Sequence, residues 1–254
     1  MEALAWICLF APLAGVAALT LAGSRISRGA AAWAGTLFAF VAFAAAIAEL
    51  VAMLGEGASQ RAHTYTLFTW AGSGTFRVPF GVLVDPLSVT EMLIVAGVGA
   101  VIVMYSVGYM HGDVKERRFF VYMDLFLFSM LLLVMADNFV LLLAGWGLVG
   151  LSSYLLIGFW HECSELVEAA KKAFVMNAIG DVGIAVAIFF MVRDLGTTDY
   201  GTVFSTARST GRRGRPTPTG SPAGSCSAPW PSRPRSRSTP GFPTPWRARR
   251  RSPP

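Results

Sequence analysis

Apolar residues dominate six stretches of the chain: Leu4 to Ala22, Ala31 to Leu54, Leu87 to Tyr109, Phe119 to Met135, Phe139 to Trp160 and Ala173 to Val192. Each is close to the roughly 20 residues that a helix needs to cross about 30 Å of hydrocarbon, where every backbone N–H and C=O must find its partner inside the segment. The pattern predicts an all-α, polytopic transmembrane helix bundle of about six spans. Between the second and third stretches, Gly55 to Val84 changes character. It holds an alternating run, Thr64-Tyr65-Thr66-Leu67-Phe68-Thr69-Trp70, closed by Ala71-Gly72-Ser73-Gly74, which predicts a short extracytoplasmic hairpin.

Composition supports this pattern. Of 254 residues, 54% are hydrophobic and 14% charged, with a mean hydropathy of +0.54, a mix that argues against an ordinary soluble enzyme. The net charge of +6 misleads, because eleven of the 21 basic residues are arginines after Ala207, in a segment without Asp or Glu. The preceding body is acidic on balance, so the lipid bilayer rather than nucleic acid is the expected partner. Loop charges set the orientation. Arg25, Arg28, Lys115, Arg117, Arg118, Lys171 and Lys172 fall on one side, and only Arg61, Arg77 and Arg193 on the other. The richer side is expected to face the cytoplasm, with the N-terminus outside. A cleaved signal peptide at Met1 to Ala22 is disfavoured, since the first positive charges follow the apolar run instead of preceding it.

After Ala207 the chain has no Leu, Ile, Val or Met and turns to Arg, Pro, Ser, Thr, Gly and Ala. Such a segment cannot offset its ordering entropy by burial, so residues 208–254 are expected to be a disordered Arg/Pro-rich tail. After six spans the tail would emerge on the side where positive charge is scarce, and its residues have GC-rich codons. An out-of-frame reading of GC-rich DNA is the hypothesis that accounts for both features; it fails if no other frame of the coding DNA continues the apolar pattern. An Arg-rich arm for anionic lipid or nucleic acid is the functional alternative, although the tail lacks Lys and any helical period.

Charge within a bilayer costs on the order of several kcal/mol unless paired or hydrated, which makes each buried ionisable residue a functional candidate. Glu49, Glu91, Asp124 and Asp181 fall within the apolar stretches. Asp181 lies roughly 13 Å into the sixth at 1.5 Å per residue. Gly180 and Gly183 beside it leave room for a neighbouring helix, water or a basic group, the alternative being an interhelical hydrogen bond without a transport role. Asp124 lies roughly 8 Å into the fourth, in reach of the interface or of Arg117 or Arg118. Glu49 and Glu91, near the outer edges of their spans, are expected to be solvated or interfacial. Lys171 and Lys172 follow Glu168 at helix-supporting spacings. Lys172 precedes Asp181 by two and a half turns, so water or other helices would have to connect them. His63, His111 and His161 fall in loops, and Cys8, Cys163 and Cys226 are far apart. No metal site, cofactor site, redox centre or disulfide framework is expected, and the Gly-x-Gly clusters read as turns.

Five blocks carry a resemblance: Asp85-Pro86-Leu87-Ser88, Tyr109-Met110-His111-Gly112-Asp113, Arg118-Phe119-Phe120, Ala136-Asp137-Asn138-Phe139 and Ser153-Tyr154-Leu155-Leu156-Ile157-Gly158-Phe159. Through them, and through Lys172-Ala173-Phe174-Val175 and Gly180-Asp181-Val182, the chain resembles the N-terminal part of subunit L (chain 5) of proton-translocating NADH:quinone oxidoreductase, respiratory complex I. The resemblance fades after Phe204. It implies an antiporter-like membrane-arm subunit in a bacterial-type inner membrane, partnered by other membrane subunits, that moves protons in response to quinone reduction elsewhere. NADH, FMN, iron–sulfur clusters and quinone are then expected on other subunits. The resemblance divides the chain into N-terminal helices (1–60), an N-terminal family region of hairpin and third span (61–116), a truncated antiporter-like domain (117–207) and the tail (208–254). It makes Asp181, Lys172 and Asp124 the proton-path candidates. Three departures stand out. Gly147 occupies the position of a family glutamate in Gly145-Trp146-Gly147-Leu148-Val149-Gly150, Ala178 stands where an arginine is usual, and Val103 where a histidine is frequent. A membrane-arm subunit with impaired translocation is therefore expected. A large subunit of a multisubunit cation/proton antiporter and a non-transporting membrane fragment are the alternatives.

Overall fold

The computed structural model describes residues 2–22, 26–57, 61–73 and 76–212. Arg25, Cys226 and the tail beyond Arg212 lie outside the described residues. The elements are α1 (Glu2–Ala22), α2 (Arg28–Leu54), β1 (His63–Ser73), β2 (Phe76–Val84), α3 (Pro86–Tyr109), α4 (Glu116–Met135), α5 (Phe139–Ile157), α6 (Ser164–Leu195) and α7 (Tyr200–Arg212). The first six helices are 19 to 32 residues long and apolar enough to cross a membrane. The chain is a multi-pass membrane protein.

Local chemistry fixes the helix ends. Ser27 caps α2 by accepting from the Ala30 N–H. Asp85 and Ser88 form a reciprocal capping box at α3, each side chain accepting from the other's backbone N–H at 2.7 Å, with Pro86 in the first turn where its missing donor costs nothing. Asn138 caps α5 through the Leu141 N–H at 2.9 Å. Gly196, at φ +71°, closes α6 in the left-handed conformation that glycine adopts without strain.

Helix α1 packs on α2 and α4, α2 also on α3 and α4, α4 also on α3 and α5, and α5 on α6. Small residues make close packing possible: Ala32, Gly35, Ala39, Ala42 and Ala46 form a buried seam along α2 at helical spacing. Between α4 and α5 the approach reaches the backbone itself. A Cβ on Gly145 would lie 2.8 Å from the Leu133 Cα and N. Helix α6 contrasts with the rest, for Ala170 and Ile188 are its buried residues.

Contacts between loops sort the chain into two faces. On one, Arg117 donates to the Ile26 carbonyl and Lys115 pairs with Glu162 at 2.7 Å. On the other, the Asn138 Nδ2 donates to the Pro79 carbonyl at 2.9 Å and to Asp137, the Phe139 N–H donates to Thr198 O, and short bridges join Val82 to Ala136 and Asn138 to Asp199. The loops therefore alternate between faces as six crossings require. The hairpin is antiparallel, with register shifts between Thr66 and Phe68 and between Thr69 and Ala71 that absorb the two extra residues of β1.

Three elements differ from expectation. His63 begins β1 instead of lying in a loop. Helix α6 starts at Ser164, two and a half turns before the sixth apolar stretch, because charged Glu165, Glu168, Lys171 and Lys172 interrupt hydrophobicity without interrupting the helix. Helix α7 runs into the segment assigned to a disordered tail; its anchor is aromatic, with Tyr200 edge-on to Phe139 at 4.6 Å and Phe204 at 6.4 Å from the same ring.

The close approach of α4 and α5 gives a direct test. Gly145→Ala is expected to destabilise the fold by about 1–3 kcal/mol, since backbone cannot retreat as a side chain can. Gly147→Ala, whose Cβ would meet nothing within 4 Å, should change stability by no more than about 1 kcal/mol. Thermal unfolding of the two variants in detergent would check the contrast, and equal losses would contradict it.

Candidate functional site

Asp124 sits in the middle of α4, about 12 Å from its start at 1.5 Å per residue. It is in helical phase with Phe120, Leu127, Leu131 and Met135, all buried, so the helix turns the carboxylate into the bundle. The residue is fully buried, and among the described residues neither carboxylate oxygen has a hydrogen-bond partner. Its space comes from two glycines on neighbouring helices. A Cβ on Gly15 of α1 would stand 2.6 Å from the Asp124 Oδ2, and one on Gly35 of α2 would stand 3.1 Å from it. Neither the interface nor an arginine takes up Asp124 among the described residues. Arg117 reaches the Ile26 carbonyl, and Arg118 donates to the Tyr122 hydroxyl at 2.8 Å while lying over the same ring. Both guanidiniums sit at the first turns of α4 and serve the loop face, while Asp124 points to its core.

Asp181 lies near the middle of α6. It is half-buried, and its Oδ1 is buried without a partner. Cβ atoms on Gly180 and Gly183 would meet nothing within 4 Å, so the glycine face of the helix is open, whereas Asp181 shares the helical phase of the buried Ala170 and Ile188. Lys171 and Lys172 are exposed, and neither forms an ion pair with Glu168 among the described residues. Gly147 also faces open space. Polar groups recur between α4, α5 and α6: the hydroxyls of Ser129 and Ser152 are 3.4 Å apart, and Asn177 packs against Gly150. Asp124 and Asp181 thus occupy different surroundings, one fully buried and one half-buried.

Glu49 is the carboxylate whose position differs most from expectation. It is fully buried, with both oxygens unpartnered, instead of solvated at the edge of α2. Its position continues the alanine seam after Ala39, Ala42 and Ala46, and that phase was the available signal in the sequence. Glu91, by contrast, is exposed. Glu116, at the start of α4, is buried with one oxygen unpartnered. No group of three or more His, Cys, Asp or Glu able to hold a metal occurs among the described residues.

The family described as NADH-ubiquinone oxidoreductase (complex I), chain 5 N-terminus, matches residues 70–120. That described as NADH:quinone oxidoreductase/Mrp antiporter, TM, matches residues 136–217, continuing past Phe204. NADH-quinone oxidoreductase subunit L of Mycobacterium tuberculosis is 47% identical over 203 residues, covering 79% of this chain and 31% of that protein. The Escherichia coli protein of the same name is 37% identical over 194 residues, covering 76% and 31%. The chain belongs to the complex I chain 5/Mrp antiporter family. It spans 31% of the length of these two relatives. A solved Mrp complex from Dietzia sp. shares the fold, with a TM-score of 0.65 at 24% identity over 78% of this chain and 20% of that one.

Within the family fold, Asp137 offers a titratable contact outside the spans. It is buried in the turn between α4 and α5, beside Gly81 of β2, and accepts from Asn138. Burial raises its carboxyl above the usual range, with Asp199 adding to the rise and the Asn138 and backbone hydrogen bonds opposing it. A raised acid binds its proton more tightly when folded. The stabilisation is therefore full below the unfolded value and is lost as pH rises through the folded one. The wild-type unfolding midpoint is expected to fall more steeply than that of Asp137→Asn as pH rises from about 4 to about 8. Parallel midpoints in a pH series would show that Asp137 does not contribute.

Proposed function

We propose that this chain is a membrane-arm subunit of an NADH:quinone oxidoreductase, contributing to proton translocation driven by quinone reduction on other subunits. The observation that carries this reading is Asp124, a carboxylate without a partner in the dry core of a family fold, where only a proton or a brought-in cation can neutralise it. Asp181 and Lys172 on α6 are the further proton-path residues. Asp181 holds and releases a proton on the half-buried face of α6, and Lys172 changes the field along the same helix. The redox cofactors belong to other subunits.

The membrane is of the bacterial inner type, with the N-terminus outside. The face carrying Lys115 and Arg117 is then cytoplasmic, as the positive-inside rule favours. Other membrane subunits and lipid are the partners, with no nucleic acid involved. Helix α6, bare along most of its length, supports contact with further helices. A second reading, a subunit of a cation/proton antiporter, draws on the shared Mrp family description. It is distinguished by dependence of activity on sodium instead of quinone.

The position at Gly147 sets the expected activity. The open space there admits a larger side chain, but glycine supplies no protonatable group. Residues 1–205 would be joined to the remaining length of the E. coli relative and expressed in a strain lacking that subunit. With Gly147 in place, NADH-driven proton uptake in membrane vesicles is expected to stay low, and Gly147→Glu should raise it. Asp181→Asn in the Gly147→Glu background should lower it again by on the order of tenfold or more. Uptake indifferent to Asp181 would sink the assigned path.

A further inference from the structure

The seam of α2 ends on an ionisable group that the Asp124 and Asp181 sites do not use. Glu49 is completely buried, and among the described residues both its oxygens lack partners. It lies fourteen residues from Gly35, the α2 neighbour of Asp124, about 21 Å along the helix at 1.5 Å per residue. Direct proton transfer between the two carboxylates is excluded by that span. Glu49 instead belongs to the hairpin end of the bundle.

A second set of titratable groups gathers at that end. Glu56 Oε2 and His63 Nε2 meet at 2.8 Å, both side chains being about 30% exposed. His63 stacks on Tyr65 at 6.0 Å. Cys8 of α1, Glu56 beyond α2, and His63 and Tyr65 of β1 all lie within electrostatic reach of Glu49. Burial, followed by the charges of Glu49, Glu56 and Glu2, pushes the Tyr65 phenol up, so it keeps its proton and can both donate and accept. Trp6 Nε1, in the first turns of α1, is likewise buried without an acceptor. Because α1 and α2 run antiparallel, this orphaned donor and the two orphaned acceptors of Glu49 share one end of the helix pair. An internal water satisfies groups of that kind.

We propose that Glu49 is a proton-exchange site inside the bundle, connected to the hairpin surface through the His63–Glu56 pair. The ligand is a proton. In release, the Glu49 O–H bond breaks as a bridging water takes its proton and passes one of its own to His63. The imidazolium, held by Glu56, then gives a proton to bulk solvent, and uptake reverses these steps without oxidation or reduction. One end of the bundle thus holds a buried, unpartnered carboxylate and a partly exposed base, a pairing which a merely tolerated glutamate would not need. Its use in translocation rests on the function proposed above, but the exchange itself does not.

Infrared spectroscopy separates the two. The full chain, in lipid nanodiscs and carrying isotope-labelled glutamate, would be moved rapidly from H2O to D2O at neutral pH. A carbonyl band of protonated glutamate is expected, absent in Glu49→Gln and also in Glu49→Asp, which keeps a carboxyl but removes the label from that position. Deuterium exchange of the band should slow by on the order of tenfold or more in His63→Gln and Glu56→Gln, and stay at the wild-type rate in Asp181→Asn. Circular dichroism would identify the variants that retain the fold. Absence of the band from the wild type, its persistence in both Glu49 variants, or wild-type exchange rates in both the His63 and Glu56 variants would overturn the proposal.

Discussion

A carboxylate removed from water must find a partner, a proton or a cation, because an uncompensated buried charge costs on the order of several kcal/mol. Asp124 and Glu49 place that requirement in the core of α1, α2 and α4. The packing around Asp124 is shaped to admit a group and not to neutralise one. Gly15 and Gly35 clear space for its oxygen, while the nearest arginines on its own helix are engaged elsewhere. In an ordinary core, alanine or leucine at these glycines would bury more apolar surface. Here they would occupy the notch and force either the carboxylate or a helix aside. The small-residue seam of α2 therefore serves both close packing and the accommodation of polar groups.

The blocks that carried the family resemblance act mainly at helix ends. Asp85-Pro86-Leu87-Ser88 is a capping box, and Ala136-Asp137-Asn138-Phe139 is a turn whose Asn138 caps α5 and grips the hairpin. Gly112, at φ +92°, shapes the turn after α3, where the Asp113 carboxylate accepts from the Lys115 N–H. Caps and tight turns require particular residue types at fixed offsets, so they leave short, recognisable signatures. The buried carboxylates depend on helix phase, which is spread over a whole span. Recognition of the family and recognition of its chemistry thus draw on different residues.

That difference explains what could be read before the fold was known. The six spans were legible because lipid demands long apolar helices, and the alternating Thr64 to Trp70 run marked the hairpin. Depth below the surface, counted in residues from the nearest span edge, was a poor guide to burial. Glu49 lies near the end of α2 yet faces its seam, whereas Asp181 lies deep along α6 yet retains partial exposure. Depth gives a position along the membrane normal, while burial depends on the angle around the helix and on whether a neighbour stands there. Helix α7 escaped notice because its anchor, Tyr200 and Phe204 on Phe139, spans more than sixty residues of sequence.

The hairpin-side contacts also constrain the order in which the chain can assemble. Pro79 belongs to β2, Asn138 to the turn before α5, and Thr198 and Asp199 to the loop after α6. During synthesis the hairpin takes its side of the membrane two spans before Asn138 arrives and four before Asp199 does. Its carbonyls must wait in water until the later crossings are complete, so closure of this clasp records that α3, α4, α5 and α6 have each been threaded in the correct direction. A chain inserted with one crossing missing would leave its three parts on opposite sides of the bilayer.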